Sequence, residues 1–141
     1  MEVLYPRCAG LDVHKKTVVA CARVAGNGPL LQEVRTFATT TSGLLALADW
    51  LESLGVEHVA MEATGVYWKP VWHVLEGHFE LVLANASHVK NVPGRKTDVN
   101  DAVWLADLLA HGLGALRERA TLGELRELVD DLAAVEDRDG Q

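Results

Sequence analysis

The chain has 141 residues, 49% of them hydrophobic, and a formal net charge of −7 at pH 7. This length is enough for one domain with a closed hydrophobic core. No apolar run approaches the ~20 residues of a membrane-spanning helix, and the N-terminus lacks the features of a signal peptide. Two cysteines, Cys8 and Cys21, are too few for a disulfide framework. We therefore expect a cytoplasmic protein that is not associated with membranes. We also expect both cysteines to be buried, reduced thiols.

The acidity of the chain is unevenly distributed. Residues 117–141 contain four basic and eight acidic side chains, whereas the preceding part contains nine basic and twelve acidic ones. If four of those twelve acids held divalent cations, the body of the chain would be neutral or positive. The net charge therefore does not exclude a nucleic-acid partner.

Alternating hydrophobicity and turn residues predict an antiparallel three-stranded meander, which is followed by helices and short strands. The predicted strands are 7–13, 17–24, 30–38, 57–62 and 79–84. Four helices are predicted. The first runs from an N-cap at Thr41 or Ser42 to Gly55, and the second from just after Gly65 to about Glu76, with Pro70 in its first turn. The other two cover residues 97–111 and 122–135.

Strand–helix–strand segments of this spacing pair in parallel through crossover helices. We therefore predict an α/β protein whose strands and helices follow the order of the RNase H-like fold. Parallel strands extend the three-stranded meander, and helices cover both faces of the sheet. A further helix follows at the C-terminal end. Actin-like and sugar-kinase ATPases share that fold, so the order alone does not choose a function. Such ATPases need a glycine-rich loop after the acid of the first strand, and residues 13–17 contain no glycine.

Two acidic residues lie at the ends of predicted apolar strands. Asp12, flanked by Leu11 and Val13, is near the end of the first strand, and Glu62 closes the strand at 57–62. Ligands of open α/β sheets bind at the carboxyl ends of the strands. An acid at such a position is more often a capping or solvated group than a ligand-binding one. For Asp12 and for Glu62, both a ligand-binding role and a capping or solvated role stay open.

Two further acids lie at the start of the helix predicted at 97–111, for which Thr97 is the expected N-cap. At ~100° per residue, Asp98 and Asp101 share the core-directed face of that helix with Leu105. The helix dipole accounts for one acid in the first turn of a helix. It does not account well for two acids that point inward, which favours a pair of metal ligands.

Asp12, Glu62, Asp98 and Asp101 would repel one another if they met without cations. Carboxylate oxygens suit Mg²⁺ or Mn²⁺, and no Cys/His cluster with zinc spacing competes. Two such ions about 4 Å apart activate water and stabilise the leaving oxygen in phosphodiester cleavage. From the residues alone, metal-dependent phosphoryl transfer and purely structural roles stay open.

The chain resembles a known family through three segments, GLDVHK at 10–15, MEATGVYW at 61–68 and KTDVNDA at 96–102, and through NASHVKNVPGRK at 85–96. In this order and spacing they are similar to the DEDD transposases and invertases of bacterial mobile elements, the insertion-sequence-110 type that includes pilin-gene invertases. The resemblance covers about residues 8–113.

The resemblance implies a RuvC-type domain that binds two Mg²⁺ (or Mn²⁺) ions through Asp12, Glu62, Asp98 and Asp101. It also implies DNA cleavage and recombination guided by an RNA from the element. Family members continue through a coiled coil into a domain that supplies a nucleophilic serine. We therefore expect a DEDD domain at 1–114, an acidic helical tail at 115–141 as the start of a coiled coil, and no complete reaction by this chain alone. The alternative is a non-catalytic remnant that binds DNA or RNA or regulates full-length transposase.

Lys90, Arg95 and Lys96 form the densest basic stretch, which is either a solvated loop or a loop that holds phosphates beside the metal helix. The apolar stripe of residues 122–135 either folds back on the body or pairs with another copy. DNA, an element-encoded guide RNA, and a second copy or the full-length transposase are thus the predicted partners.

Four other side chains have two interpretations each. Tyr67, Trp68 and Trp72 either pack in the core or stack on bases. His14 either lies only in the turn after the first strand or approaches the metals.

Overall fold

The computed structural model describes residues 3–26, 28–62, 65–84 and 100–111. Within these ranges the chain forms five strands and three helices: β1 (Arg7–Val13), β2 (Thr17–Val24), β3 (Leu31–Ala38), α1 (Thr41–Ser53), β4 (His58–Glu62), α2 (Trp68–Leu75), β5 (Glu80–Ala84) and α3 (Asp101–Ala110). The boundary at 114 and the tail at 115–141, with its predicted helix, lie outside the described residues and stay predictions.

The five strands form one mixed sheet in the order β3-β2-β1-β4-β5. β2 is antiparallel to both β1 and β3, whereas β4 is parallel to both β1 and β5. The β1–β2 turn is closed by the His14 N–H, which donates to the Thr17 carbonyl at 2.8 Å. An antiparallel meander extended by parallel strands is the predicted RNase H-like arrangement, which is confirmed.

Helices α1 and α2 cover one face of the sheet. Their apolar stripes form one buried cluster with inward-facing strand residues, which includes Leu44, Leu47, Leu51, Val71, Leu75, Leu11 and Val59. Helix α3 covers the opposite face, where Leu105 and Leu109 cluster with Cys8 and Ala60, and Ala102 and Ala106 cluster with Cys21. The prediction of helices on both faces is therefore confirmed.

Helix α1 begins earlier than predicted. Thr40, not Thr41 or Ser42, is its N-cap, because the Thr40 hydroxyl oxygen accepts a hydrogen bond from the Gly43 N–H at 3.1 Å. The helix ends before Gly55, whose φ of 75° is readily adopted only by glycine.

Helix α2 contains most of the aromatic residues considered for base stacking. Trp68 is 1% exposed and Trp72 is 6% exposed, and their rings meet edge to face with centroids 5.9 Å apart. Both therefore pack in the core, whereas Tyr67 at the start of the helix is 45% exposed. Pro70 lies in the first turn, as predicted, where its missing N–H removes no helical hydrogen bond.

Both cysteines are free and buried, as predicted. The Cys8 thiol donates to the Ala106 carbonyl of α3 at 3.5 Å. Among the described residues, no helix has the length and apolar character needed to cross a membrane.

Candidate functional site

Two of the predicted site residues lie at the carboxyl ends of neighbouring parallel strands: Glu62 is the last residue of β4, and Asp12 is the last but one of β1. The register of β1 and β4 places Leu11 opposite Met61, so the next residues along, Asp12 and Glu62, continue the same alignment. Residues opposite each other on parallel strands project to the same face, and the strands lie about 4.8 Å apart. The fold therefore brings the Asp12 and Glu62 carboxylates to one face of the sheet at its carboxyl edge.

Helix α3 packs on that same face. Ala60, two residues before Glu62, belongs to the cluster that α3 covers. A Cβ placed on Gly10 would lie 2.7 Å from Leu105 Cβ and closer still to the backbone of Ala102 and Ala106. Only a glycine at this position, two residues before Asp12, lets the helix approach so near to β1.

The direction of α3 is set by contacts at both of its ends. Ala102 lies against Gly10, whereas at the other end the Leu4 and Tyr5 N–H groups donate to the Ala110 carbonyl at 2.8 and 3.0 Å. The helix therefore runs antiparallel to β1, and its N-terminus lies at the edge where Asp12 follows the buried part of the strand.

Asp101 is the first residue of α3. It precedes by one turn Leu105, which clusters with Ala60 and Val82 on the β4 side of the helix. Residues four apart on a helix share a face. Asp101 therefore lies at the carboxyl edge on the side of Glu62. Asp12, Glu62 and Asp101 all lie at this edge, but their side chains do not form one metal-holding group.

The predicted start of this helix at Thr97 is wrong. Asn100 is the N-cap: its backbone is extended (φ −71°, ψ 161°), and its side-chain oxygen accepts from the Val103 N–H at 2.8 Å. Helical angles cannot be counted back through an extended residue, so the argument that put Asp98 and Asp101 on one helical face does not hold. Asp98 itself lies outside the described residues, as do Lys90, Arg95 and Lys96.

Basic and polar groups surround the acidic edge. The Nε2 atom of His14 lies 3.0 Å from Oδ2 of Asp12, whose side chain is 22% exposed. His14 is thus both in the turn and in contact with a candidate metal ligand. Lys15 and Lys16 in the same turn are exposed. Exposed Tyr67, at the start of the helix that follows β4, is also at this end of the sheet.

The donor set at this edge suits a hard divalent cation. Within the described ranges, no group of three or more His, Cys, Asp or Glu side chains is close enough to hold a metal ion. Asp12 is turned to His14. Asp12, Glu62 and Asp101 nevertheless offer only carboxylate oxygens, the ligands that Mg²⁺ and Mn²⁺ prefer. Acids that share one edge repel one another unless a cation compensates them.

The chain matches a known protein family over almost all of its length. Residues 9–138 match the profile of the DEDD transposases of the insertion-sequence-110 type, described as "Transposase". The chain belongs to this DEDD transposase family. The sheet order and the family agree with the RNase H-like, RuvC-type fold that the three motifs predicted.

The chain is also similar to individual proteins. It is 30% identical over 107 residues to the pilin gene-inverting protein of Moraxella bovis, in a match that covers 69% of this chain and 32% of that protein. The DEDD chain thus spans about a third of the length of this curated relative.

Two solved structures are similar to the DEDD chain at low identity. One is RuvC of Thermus thermophilus, with a TM-score of 0.47 and 18% identity, covering 95% of this chain and 96% of that chain. The other is the fowlpox virus resolvase in complex with substrate Holliday junction DNA, with a TM-score of 0.45 and 13% identity, covering 64% and 65%.

Sequence reasoning assigned no role to three groups at the edge of this DEDD domain. Gly10 was detectable as a glycine inside a strand, which indicates close approach of another backbone. Asn100 was detectable as a strong N-cap residue directly before a first-turn acid. Lys15 and Lys16 lie between the first two predicted strands, and no sequence pattern shows that this turn and Glu62 meet at one edge.

Proposed function

We propose that this chain is the metal-binding part of a DEDD transposase and contributes the acidic site for DNA cleavage. The observation that supports it best is the shared face of Asp12 and Glu62 beside the N-terminus of α3. In this proposal those two residues, Asp98 and Asp101 together hold two Mg²⁺ or Mn²⁺ ions. The bound ions would supply Lewis acidity and a water of lowered pKa for phosphodiester cleavage.

The chain's own residues would prepare the site. Asp12 pairs with Val19 of β2, and Leu11 directly before it pairs with both neighbouring strands, so the backbone that leads to Asp12 is held on both sides. Asp101 is held by a capped helix whose approach Gly10 permits. The imidazole of His14 would position the Asp12 carboxylate through their 3.0 Å contact.

DNA is the proposed substrate. The relative from Moraxella bovis is named for inverting a gene, which is a rearrangement of DNA. Exposed Lys15 and Lys16 flank the acidic edge and would contact phosphates, together with Lys90, Arg95 and Lys96. A guide RNA from the element, and a second copy or full-length transposase, are the other partners that the family resemblance suggests.

Complete recombination would require more than this stretch of sequence. The curated relative is about three times as long as the matched part. We therefore propose that the nucleophilic serine expected for the family comes from another domain, and that this chain alone does not carry out strand exchange. A non-catalytic chain that binds nucleic acid or regulates full-length transposase is the alternative.

Calorimetric titration with Mn²⁺ tests the metal site. We expect the wild-type chain to bind Mn²⁺ and the Asp12→Asn, Asp101→Asn double variant to lose binding by at least about tenfold, which is about 1.4 kcal/mol. Asp49→Asn is the matched control, because Asp49 is exposed on α1, on the other face of the sheet. Its affinity should equal that of the wild type.

Circular dichroism spectra must show that all three proteins are folded. A folded double variant that binds Mn²⁺ as tightly as the wild type would contradict the proposed ligands. Nicking of duplex DNA by the wild type with Mn²⁺, abolished by the same two substitutions, would support a catalytic domain. DNA binding without nicking would support the alternative.

A further inference from the structure

Strand β3 is an open edge of the sheet. Among the described residues its inner side pairs with β2 over eight residues, and no strand pairs with its outer side. It also carries exposed apolar side chains: Leu31 and Val34 are each 42% exposed, and Leu30 beside it is 46% exposed. Long, regular, apolar edge strands are templates for pairing with another strand.

The sequence of β3 is self-complementary about Val34. An antiparallel pair of β3 strands related by a two-fold axis at Val34 places residue 33 opposite the partner's 35, 32 opposite 36, and 31 opposite 37. The charged pair becomes Glu33 with the partner's Arg35, and the apolar pair becomes Leu31 with the partner's Phe37. Opposite charges and apolar side chains that face each other across strands stabilise a sheet.

The neighbouring registers are less favourable. A two-fold axis at Glu33 would place two glutamates opposite each other, and an axis at Arg35 would place two arginines opposite each other. Like charges directly opposite destabilise a sheet. The charge pattern therefore selects the register centred on Val34.

We propose that β3 pairs with β3 of a second copy of this chain in that register. Glu33 and Arg35 lie on the α1 face, because they are opposite Ala22 and Ala20 in β2, which pack in the cluster under α1 and α2. Val34 lies on the α3 face, opposite Cys21. The two-fold axis thus forms a four-charge network on one face and a Val34–Val34 contact on the other.

Within one chain the charged side chains are already held in position. The Arg35 Nε and Nη2 atoms donate to Oε1 of Glu33 at 3.2 and 3.1 Å. The Arg35 guanidinium also lies 5.1 Å from the ring centroid of Trp50. A preorganised cation beside the edge loses little side-chain entropy when a partner's carboxylate arrives.

The pairing would have a consequence for the acidic edge. Because the axis is perpendicular to the sheet, the described five-stranded sheets of the two copies form one continuous sheet with both α3 helices on the same side. With strands about 4.8 Å apart and about 3.4 Å per residue, the two Asp12 positions would lie roughly 28 Å apart. Pairing of the β3 strands does not require metal at the acidic edge, so it can be tested separately from the Mn²⁺ titration.

Charge substitutions test the pairing by analytical ultracentrifugation of the full chain. The wild type should sediment with twice its 15.3 kDa mass at high concentration. Glu33→Arg or Arg35→Glu should each raise the dimer Kd by about tenfold or more through like-charge contacts. The double swap, Glu33→Arg with Arg35→Glu, should restore the dimer, and the two single variants should form a heterodimer when mixed.

Disulfide cross-linking tests the register independently of the charges. In the proposed pair the two Val34 Cα atoms lie about 4.5–5.5 Å apart, within disulfide range. Oxidised Val34→Cys should therefore give a covalent dimer on a non-reducing gel. Thr36→Cys is the matched control, because Thr36 is also exposed on the same face but would lie roughly 14 Å from its counterpart.

Three results would overturn the proposal. One is a wild type that stays monomeric up to about 0.2 mM, well above the micromolar Kd of small interfaces. Another is a dimer that the single charge variants leave unchanged, which would place the interface elsewhere on the chain. The third is equal cross-linking of Val34→Cys and Thr36→Cys.

Discussion

Burial of Cys8 and Cys21 between the sheet and α3 changes the acidity of both thiols. Removal from water raises the pKa of Cys8 to about 12 and that of Cys21 to about 11, although the neighbouring Arg23 guanidinium opposes the shift in both. The thiolate is the reactive form of cysteine. Both residues therefore pack as small apolar side chains under α3.

This acidity predicts low thiol reactivity and a specific pH dependence. We expect neither cysteine to react with Ellman's reagent at pH 8 in the folded chain, and both to react in urea. Because the folded pKa values lie above the ordinary value of 9.0, the thiols stabilise the fold fully below pH 9. That contribution is lost as the pH rises from 9 toward 11 and 12, since only the unfolded chain ionises there.

The control for this pH dependence is the Cys8→Ala, Cys21→Ala variant. Its free energy of unfolding in urea should be lower than that of the wild type at pH 7, because small cavities remain. Between pH 9 and pH 11 it should fall less steeply. Equal slopes for the two proteins would contradict the assigned cause.

At the scale of elements, the contact between α3 and β1 determines where Asp101 lies. The helix is positioned by Gly10 below it and by the Asn100 cap at its N-terminus. Neither Gly10 nor Asn100 is itself a proposed metal ligand. Both would affect a metal site only because they determine where α3, and with it Asp101, lies.

Gly10→Ala tests this arrangement. The added methyl group has no room beside Ala102, Leu105 and Ala106, so α3 must shift, and we expect a loss of about 1–3 kcal/mol in the free energy of unfolding. Urea titration measures this loss, and calorimetry should show weaker Mn²⁺ binding. Gly26→Ala is the matched control, because a Cβ there meets nothing within 4 Å. Equal free energies of unfolding for Gly10→Ala and Gly26→Ala would show that the close approach of α3 to β1 does not require a glycine.

At the scale of the whole molecule, the net charge of −7 hides a local arrangement. The acids and the exposed lysines of the β1–β2 turn share one end of the sheet, whereas Arg7 lies at the opposite end of β1. We therefore expect a nucleic acid to meet the chain at the carboxyl edge, where the proposed metal ions would offset the acidic charge.

Lys15→Ala with Lys16→Ala tests this orientation. If both lysines contact phosphates, the variant should bind duplex DNA more weakly, and the slope of log K against log salt should shrink by about 1.8. Fluorescence anisotropy at several salt concentrations, with Ca²⁺ in place of Mg²⁺, measures both quantities. Arg7→Ala is the control and should leave the slope unchanged. A smaller slope for Arg7→Ala would place the DNA at the other edge.

Local patterns determined much of this protein. Alternation and turn residues predicted β1 and β2 with their observed ends and β3, β4 and β5 to within one residue, because strand formation here follows side-chain periodicity. The same patterns identified Asp12 and Glu62 as acids at strand ends. The motifs of residues 10–15, 61–68 and 96–102 predicted the family, to which the chain belongs.

Other features were decided only by the tertiary structure. Thr97 and Asn100 are both acceptable N-caps locally, and helix α3 begins after Asn100, where its close packing against Gly10 also begins. The alignment of Asp12 with Glu62 depends on the β1–β4 register, which joins residues 50 positions apart. Packing and register are long-range properties, and no pattern within one segment contains them. The roles of all the predicted site residues stay predictions: Asp12, Glu62, Asp98, Asp101, Lys90, Arg95 and Lys96.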